Sequence, residues 1–319
     1  MPKADGIEEK YINGILVDKE NDTCFFNDET HAYYDKNTLE RYTSVTTMIH
    51  EYTQPFDEIF WSNYKALEAL LTEDVFASIK GELLNKKKIN TDWLLNNIDI
   101  DLDVLEQKAE EIRKGYEKAR NESCEIGSAI HLKKEMSFYG NKEFNFSKYG
   151  FDEVCGEFVC QKNYYKLDLD RGVYPEFMIS CDIDGLKISG QVDLLIINGD
   201  EVIIIDWKTN REIKKTSYYD KFKKKHQTMK FPLSNLMDTN FWHYTMQLST
   251  YMYMLQHLKP NLKCKGLMLI HIDKETGEET KYPVEYLKND VERMIKHFKK
   301  RQKIKLELDK ISPIELWSI

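Results

Sequence analysis

The chain has 319 residues, a net charge of −8, and 41% hydrophobic and 12% aromatic residues, a composition that supports a sizeable core and excludes a disordered chain. No stretch is apolar and long enough to span a membrane, and the charged N-terminus lacks the apolar core of a signal peptide. The six cysteines form no C-x-x-C pair, so neither a zinc knuckle nor a disulfide framework is indicated. We therefore expect a soluble, cytoplasmic protein. The excess of lysine over arginine favours an A/T-rich coding sequence, as in a bacterial or phage-infected cell.

Residues 1–56 are predicted to form an N-terminal β-meander and the first core helix. Ser44 and Thr46 lie where that helix begins, and a Ser or Thr before a helix is a natural N-cap. A hydroxyl group and the free N–H groups of a helix start can also bind phosphate. Capping is the simpler interpretation of these residues, and phosphate contact is the functional one.

Residues 57–122 differ from the rest of the chain, because apolar residues recur there at helical spacing in several segments separated by polar breaks. We interpret this region as a helical insertion that could act as an arch or lid. The remaining residues, 123–319, are predicted to form the core domain.

Two polar residues stand out at the start of that core domain. His131 lies near the start of a helix predicted at 125–139 and could supply a nitrogen ligand, although a lone histidine is usually structural. A second helix is predicted at 151–165 and a strand at 174–181. Glu176 lies on that strand, and a carboxylate on an otherwise apolar strand is costly without a cation or donor nearby.

The clearest motif is a hairpin whose turn is Asn198-Gly199, between two apolar, β-branched runs. Two registers are open: a two-residue loop puts Asp193 diagonal to Asp206, and a four-residue loop puts the two aspartates directly opposite. In either register Asp193, Asp206 and Lys208 share one face, and Trp207 takes the other.

Two carboxylates and an ammonium group would converge on that face. Like charges so close are unfavourable unless a divalent cation lies between them, and carboxylate oxygens are the ligands that Mg²⁺ or Mn²⁺ prefers. The alternative is a pair of solvated acids at the strand ends with a lysine at the rim. We favour the metal site because Asp206-Trp207-Lys208 directly follows four aliphatic residues, where burial alone would not place charges.

The negative net charge hides a basic segment that directly follows this motif. A phosphate backbone could bind such a segment in a strongly salt-dependent way. The candidate contacts are Lys214, Lys215, Lys223, Lys224 and Lys225. A second basic stretch at 293–305 is equally well explained as a solvated helix face.

A helix, two strands and a closing helix are predicted at 240–257, 264–272, 279–284 and 287–303. The first of these helices places Tyr244, Gln247 and Tyr251 on one face. Their phenol and amide groups could bind phosphate or hold a catalytic lysine, whereas the simpler interpretation is a core helix with a polar edge. No G-x-x-x-x-G-K-[ST] loop is present, so we expect no ATP.

Taken in order, five motifs resemble those of the RecB-type branch of the PD-(D/E)XK nuclease superfamily: Gly127-x-x-x-His131, Glu176, Gly190-x-x-Asp193, Asp206-x-Lys208 and Gln247-x-x-x-Tyr251. Within that branch the chain is similar to the mitochondrial genome maintenance exonuclease and its phage relatives, which also carry a Ser-Val-Thr, matched here by Ser44-Val45-Thr46. The resemblance covers about residues 30–285.

This resemblance implies an α/β protein with a PD-(D/E)XK restriction-endonuclease-like core, in which helices flank a central mixed sheet. It implies that Asp193 and Asp206, and often the histidine matching His131, hold the metal. The match to Lys208 would orient or activate water.

The resemblance also implies that Gln247 and Tyr251 support the lysine and the DNA. Glu176 matches an acid whose role varies between members, and Asp206 stands where Glu is commoner. Only Cys264 follows Tyr251, so the cysteine quartet of iron–sulfur relatives is absent and we expect no cluster.

The sequence thus predicts a Mg²⁺- or Mn²⁺-dependent DNA exonuclease that prefers single strands or DNA ends and acts in repair, recombination or replication, with proteins of those pathways as partners. The alternatives are an endonuclease of the same superfamily and a nucleic-acid-binding subunit without catalysis. Candidate catalytic residues are Asp193, Asp206, Lys208, Glu176, Gln247 and Tyr251; candidate metal ligands are His131, Asp193, Asp206 and Glu176; candidate DNA contacts are Ser44, Thr46, Lys214, Lys215, Lys223, Lys224, Lys225 and Tyr244.

Overall fold

The structure is a computed structural model that describes residues 10–86, 88–89, 91–139, 159–160, 171–221 and 223–308. The chain divides into two compact units. The first draws on Met1–Thr53, Ile130–Tyr218 and His226–Ile319, and the second on Gln54–Ala129 and Tyr219–Lys225.

A seven-stranded mixed sheet forms the centre of the first unit. In spatial order its strands are β14 (Glu279–Val284), β13 (Lys263–Ile272), β10 (Glu201–Lys208), β9 (Leu186–Asn198), β8 (Gly172–Ile183) and β7 (Val159–Cys160), with β6 (Thr43–Ser44) also paired to β9. Strands β10 and β13 run parallel, as do β7 with β8 and β6 with β9, whereas the β8–β9, β9–β10 and β13–β14 pairs are antiparallel. The predicted mixed sheet is confirmed.

Helices cover both faces of this sheet. One face packs against α1 (Val45–His50), α6 (Asn240–Leu258) and α7 (Lys288–Leu308), and the other against the end of α5 (Leu102–Met136). A strand buried on both faces needs apolar residues at successive positions, which explains the continuous aliphatic run of β10. The predicted α/β architecture with flanking helices is confirmed.

A buried amide helps to hold the short N-terminal strands against the sheet. The strands are β1 (Tyr11–Ile12), β2 (Ile15–Leu16), β3 (Lys19–Glu20), β4 (Cys24–Asn27) and β5 (Ala32–Asp35). The Asn21 side chain is fully buried and donates to the Met178 carbonyl and the Ser180 hydroxyl. Its oxygen accepts from the N–H groups of Thr23 and Cys24. Because every polar atom is satisfied, the amide can be buried without a net penalty.

The second unit is helical. Its helices are α2 (Glu58–Leu70), α3 (Glu73–Lys86), α4 (Thr91–Asn97) and the first part of α5. Phe60, Leu67 and Leu94 lie in its core, with Arg113 donating to the Ser62 hydroxyl beside them. A further short hairpin consists of β11 (Tyr219–Asp220) and β12 (Lys225–His226). None of the helices in the described ranges is long and apolar enough to cross a bilayer.

Two predicted helices differ in the structure. The helix expected to start at Glu125 is the last part of the continuous α5, so His131 lies near a helix end rather than a start. Gly127 costs about 1 kcal/mol relative to Ala in a helix but leaves the backbone hydrogen bonds intact, and i,i+4 ion pairs such as Lys114–Glu110 support the long helix.

The helix predicted at 151–165 is wrong at Val159–Cys160, which form β7 beside β8. Pairing with a neighbouring strand overrides local helical periodicity there. The other residues of this prediction lie outside the described ranges. The predicted division at 56 and 122 stays a prediction, with residue 122 inside α5.

Candidate active site

The β9–β10 hairpin sets the position of the two aspartates. Gly199 has a φ of 64°, which glycine adopts without strain, and Val202 pairs with Ile197. This register, which sets Asp193 opposite Asp206, is one of the two predicted, but Asn198 also pairs with Glu201, so the loop is the two residues Gly199-Asp200 rather than four residues. The last pair of the ladder is Ile205 with Leu194, so Asp206 and Asp193 come directly after it on the two strands.

A backbone irregularity brings Glu176 to the same place. Glu176 has a φ of 51° and is missing from the β8–β9 ladder, which pairs Pro175 with Leu194 and Phe177 with Val192 on either side. The left-handed conformation costs a residue with a side chain about 1–3 kcal/mol and is concentrated at functional sites. Here it occurs beside Asp193, where the ladder is interrupted.

Three side chains form a group that could hold a metal ion. One ligand atom each from His131, Glu176 and Asp193 lies within 4.8 Å of the others. The Nδ1 atom of His131 is 3.6 Å from Glu176 Oε1 and 3.5 Å from Asp193 Oδ2. The structure therefore brings together a nitrogen and two carboxylates from a helix and two strands.

The main chain of Trp207 orients two of these ligands. The Nε2 atom of His131 is 3.0 Å from the Trp207 carbonyl, to which its N–H can donate, and that tautomer leaves the Nδ1 lone pair facing the carboxylates. The Trp207 N–H donates to Asp193 Oδ2 over 2.7 Å. Sequence reasoning missed this role because backbone bonds leave no trace in residue identity.

Gln191 is a second residue that sequence reasoning missed. Its side-chain amide donates to Glu176 Oε2 and to the Glu176 carbonyl, so it fixes the acid that the backbone irregularity presents. Its place two residues before Asp193 in the β9 motif is the only sequence feature that could have suggested a role.

Unsatisfied oxygen atoms show that the site fits a cation. Glu176 Oε1 and Asp206 Oδ1 are buried and have no hydrogen-bond partner among the described residues, and the other oxygen of Asp206, Oδ2, has the Lys208 ammonium group 2.6 Å away. Asp206 is 1% exposed and Asp193 is 8% exposed. Buried carboxylate oxygens without donors are costly, and a hard divalent cation is the partner that suits them.

The protonation states of His131 and Asp193 depend on whether a cation is bound. Burial alone would lower the pKa of His131, but Glu176 and Asp193 raise the pKa more strongly, to about 9. Burial, together with the neighbouring Asp206, raises the pKa of Asp193 to about 8. At neutral pH the cluster without a cation therefore retains protons that a bound cation would replace.

Lys208 lies next to Asp206, as strand alternation predicts. Its Nζ is 2.6 Å from Asp206 Oδ2, and on its other side it lies 4.5 Å from the centre of the Tyr244 ring. Burial opposes its charge, but Asp206 and Asp193 outweigh burial and raise the pKa of Lys208 above its usual range. The side chain is therefore an ammonium group at neutral pH.

Gln247 and Tyr251 lie on α6, the helix that also carries Tyr244. Gln247 Nε2 donates to the Tyr251 hydroxyl over 3.2 Å. The Tyr251 ring lies so close to Gly190 that a Cβ atom there would be 2.6 Å from Tyr251 Cε1. This explains the glycine of the Gly190-x-x-Asp193 motif: only a residue without a side chain leaves room for the ring.

The other predicted contacts are distributed over several elements. Ser44 accepts from the Thr47 N–H as the N-cap of α1, and Thr46 lies beside the Ser44 hydroxyl. Lys214 pairs with Glu212, and Lys215 lies over an aromatic ring of Phe241. Lys223 is 3.9 Å from Asp220, whereas Lys224 and Lys225 are exposed and have no ion pair within the described part of the chain.

The sequence matches a known family over more than half its length. The profile of the PD-(D/E)XK nuclease superfamily matches residues 148–315. The chain belongs to this superfamily. The matched stretch contains Glu176, Asp193, Asp206 and Lys208, and it leaves out His131. The predicted superfamily is confirmed, and a superfamily of nucleases implies DNA as the substrate class.

Comparison with other proteins adds little to this nuclease superfamily assignment. A solved structure of the protein SSO0001 is 16% identical, with 61% of this chain and 68% of that chain covered and a TM-score of 0.30. A candidate exonuclease from Eubacterium rectale is 12% identical, with 85% and 83% covered and a TM-score of 0.33. Both TM-scores are low, and no argument rests on them. No curated protein matches the sequence significantly.

The close approach of Gly190 and Tyr251 predicts the effect of a single methyl group. Gly190→Ala should displace the Tyr251 ring and destabilise the protein by about 1–3 kcal/mol, as overpacking does. Gly266→Ala on β13 is the matched control, because its Cβ would meet only Ile203 Cγ1 at 3.9 Å. Urea unfolding measures both variants. Equal stability of the two would contradict the steric account.

The protonation of the cluster predicts how cation binding depends on pH. His131 must be neutral to coordinate, so Mg²⁺ binding at pH 7 should release protons, and the affinity should rise from pH 7 towards pH 9, by up to about tenfold per pH unit for each proton released. Calorimetry in buffers of different ionisation heat counts these protons. His131→Ala should release fewer, and binding without proton release would contradict the assignment.

Proposed function

We propose that this protein is a divalent-metal-dependent deoxyribonuclease of the RecB-type branch, an exonuclease that uses Mg²⁺ or Mn²⁺. The observation that carries the proposal is the group formed by His131, Glu176 and Asp193. Glu176 Oε1 has no hydrogen-bond partner among the described residues, and Asp193 lies on β9, the strand paired with β10, which carries the Asp206–Lys208 ion pair. Helices and strands of the sheet core hold every member of this set, as precise catalytic positioning requires.

The proposed roles follow from the contacts of each residue. His131, Glu176 and Asp193 would hold the ion, and Asp206 would join them through Oδ1, the oxygen that does not face Lys208. When bound, a Mg²⁺ or Mn²⁺ ion would lower the pKa of a water molecule that it coordinates and would neutralise charge on the phosphate. Gln191 and the Trp207 main chain fix the ligands in place before substrate arrives.

Lys208 would act as a donor rather than as a base. Its raised pKa keeps it an ammonium group, which has no lone pair for a proton but can donate hydrogen bonds to the attacking water and to a phosphate oxygen. Preorganised donors of this kind stabilise charge that develops in the transition state. Gln247 and Tyr251 would support this part of the site from α6.

The DNA would be bound largely through its phosphates. Lys221, Lys223, Lys224 and Lys225 are exposed in one hairpin, and among the described residues only Lys223 of these four forms an ion pair, with Asp220 at 3.9 Å. Such uncompensated lysines attract a phosphate backbone in a salt-dependent manner. We include Ser44, Thr46, Lys214 and Lys215 in the proposed path on sequence grounds.

We propose a preference for single strands or DNA ends, motivated by the helical insertion that the sequence predicts at 57–122. The biological role would lie in repair, recombination or replication.

Removing either the negative charge of Asp193 or the positive charge of Lys208 should abolish cleavage without unfolding the protein. Asp193→Asn and Lys208→Met are expected to lower the rate of DNA hydrolysis by at least about 100-fold, because each removes electrostatic stabilisation. Asp200→Asn is the matched control, since this aspartate lies at the exposed turn of the same hairpin and pairs with Lys263. Labelled DNA in Mg²⁺ gives the rates, and melting curves check the fold. Wild-type rates in Asp193→Asn or Lys208→Met would exclude the assignment.

Circular and linear single-stranded DNA substrates distinguish an exonuclease from an endonuclease. An exonuclease needs an end, so linear single-stranded DNA should be digested while closed single-stranded circles persist. Gel analysis with EDTA-treated protein as the control measures both. Rapid cutting of circles would favour the endonuclease, and the absence of EDTA-sensitive cleavage of either substrate would favour a binding subunit.

A further inference from the structure

We infer that Tyr244 is a positioning residue for Lys208, which its ring holds in place as a cation–π partner. This inference rests on the proposed function, because it assigns a task to a residue of the same site. From the sequence, the phenol group of Tyr244 could bind phosphate or hold a catalytic lysine, and Tyr244 is a candidate DNA contact; here the aromatic face rather than the phenol group holds the lysine.

The first observation is the enclosure of the ammonium group. Lys208 Nζ lies between Asp206 Oδ2, at 2.6 Å, and the Tyr244 ring, whose centre is 4.5 Å away. The Lys208 side chain is 17% exposed. A lysine has four flexible carbon–carbon links, so a single ion pair does not define where its ammonium group lies. Contacts on two sides do define it.

The second observation is that the ring alone makes the contact. The Tyr244 hydroxyl has no hydrogen bond to any residue in the described ranges, whereas the ring lies within the distance at which aromatic faces attract ammonium groups. A partly buried ring also keeps bulk water from competing for the ammonium group. The function of the residue therefore resides in its aromatic face.

The third observation is the helix that carries the ring. Tyr244, Gln247 and Tyr251 follow one another at i,i+3 and i,i+4 spacing in α6, so they share a face. Tyr251 is fixed against Gly190, and Gln247 is bonded to Tyr251. These contacts fix the rotation of α6 about its axis, and this rotation brings Tyr244 to Lys208.

The consequence concerns the rate and not the affinity. Without the ring, the ammonium group keeps only its contact with Asp206 and can turn to solvent, so fewer molecules present it to the attacking water. DNA binding through phosphate contacts elsewhere would be unaffected. A positioning role therefore predicts a lower kcat at an unchanged KM.

Three variants on α6 test this role. Tyr244→Phe keeps the ring and should retain kcat within about twofold, whereas Tyr244→Leu should lose about 5- to 30-fold in kcat with KM unchanged, as the range of cation–π strengths implies. Tyr253→Leu, a partly buried tyrosine of the same helix away from Lys208, is the matched control and should leave kcat near that of the wild type. Equal kcat for the Phe and Leu variants, or a raised KM in both, would overturn the inference, the latter in favour of DNA contact through the hydroxyl.

A readout without turnover separates failure of this inference from failure of the proposed function. In protein with ¹³C-labelled lysine, the Lys208 Cε–H signals, identified by their loss in Lys208→Arg, should be shifted by the ring current in the wild type and Tyr244→Phe, but not in Tyr244→Leu. This pattern would support the inference even if no DNA were cleaved. A Lys208 signal that does not differ between the wild type and Tyr244→Leu would overturn it, whatever the activity.

Discussion

The repulsion between buried carboxylates is the constraint on which the site depends. Glu176, Asp193 and Asp206 gather where two strand pairs of the sheet meet, with too few hydrogen-bond donors to satisfy their oxygens. The protein supplies Lys208 and the imidazole of His131 as partial compensation. In the proposed function a divalent cation would complete the balance, and the local departures from regular structure are consistent with this requirement.

Several of these departures would otherwise be unexplained. Glu176 adopts a left-handed conformation that costs free energy, and Gln191 fixes it there. The β8–β9 ladder lacks a pair at Glu176 and Asp193. The alternation of side chains between the two faces of the sheet changes phase at this point on both strands. A sheet that served only to form a core would gain nothing from this irregularity. Strain kept at one point of a well-packed sheet is typical of a functional site.

Much of the fold and part of the site could be predicted from the sequence. The Asn198-Gly199 turn and the aliphatic runs beside it predicted the central hairpin, and period-two alternation predicted that Asp206 and Lys208 would be neighbours. The register of this hairpin could not be predicted, because both loop lengths fit the same pattern, and its turn is Gly199-Asp200 rather than Asn198-Gly199. The continuity of α5 was missed because a polar, exposed segment resembles a break between helices.

The parts of the site that escaped prediction depend on tertiary contacts. The two main-chain bonds of Trp207 require knowledge of which strand lies beside which helix. The task of Gly190 appears only when the Tyr251 ring is seen against it, and the 4.5 Å distance between Lys208 Nζ and the centre of the Tyr244 ring is not encoded in spacing alone. Residue types thus point to the chemistry, and packing decides which atoms meet.

Anomalous diffraction from crystals soaked in Mn²⁺ tests the central claim most directly, because it locates the ion without relying on activity. The account predicts a peak within coordination distance of His131 Nδ1 and of carboxylate oxygens from Glu176 and Asp193, and its loss in Asp193→Asn. An ion bound elsewhere, with these three side chains uncoordinated at saturating Mn²⁺, would contradict the account.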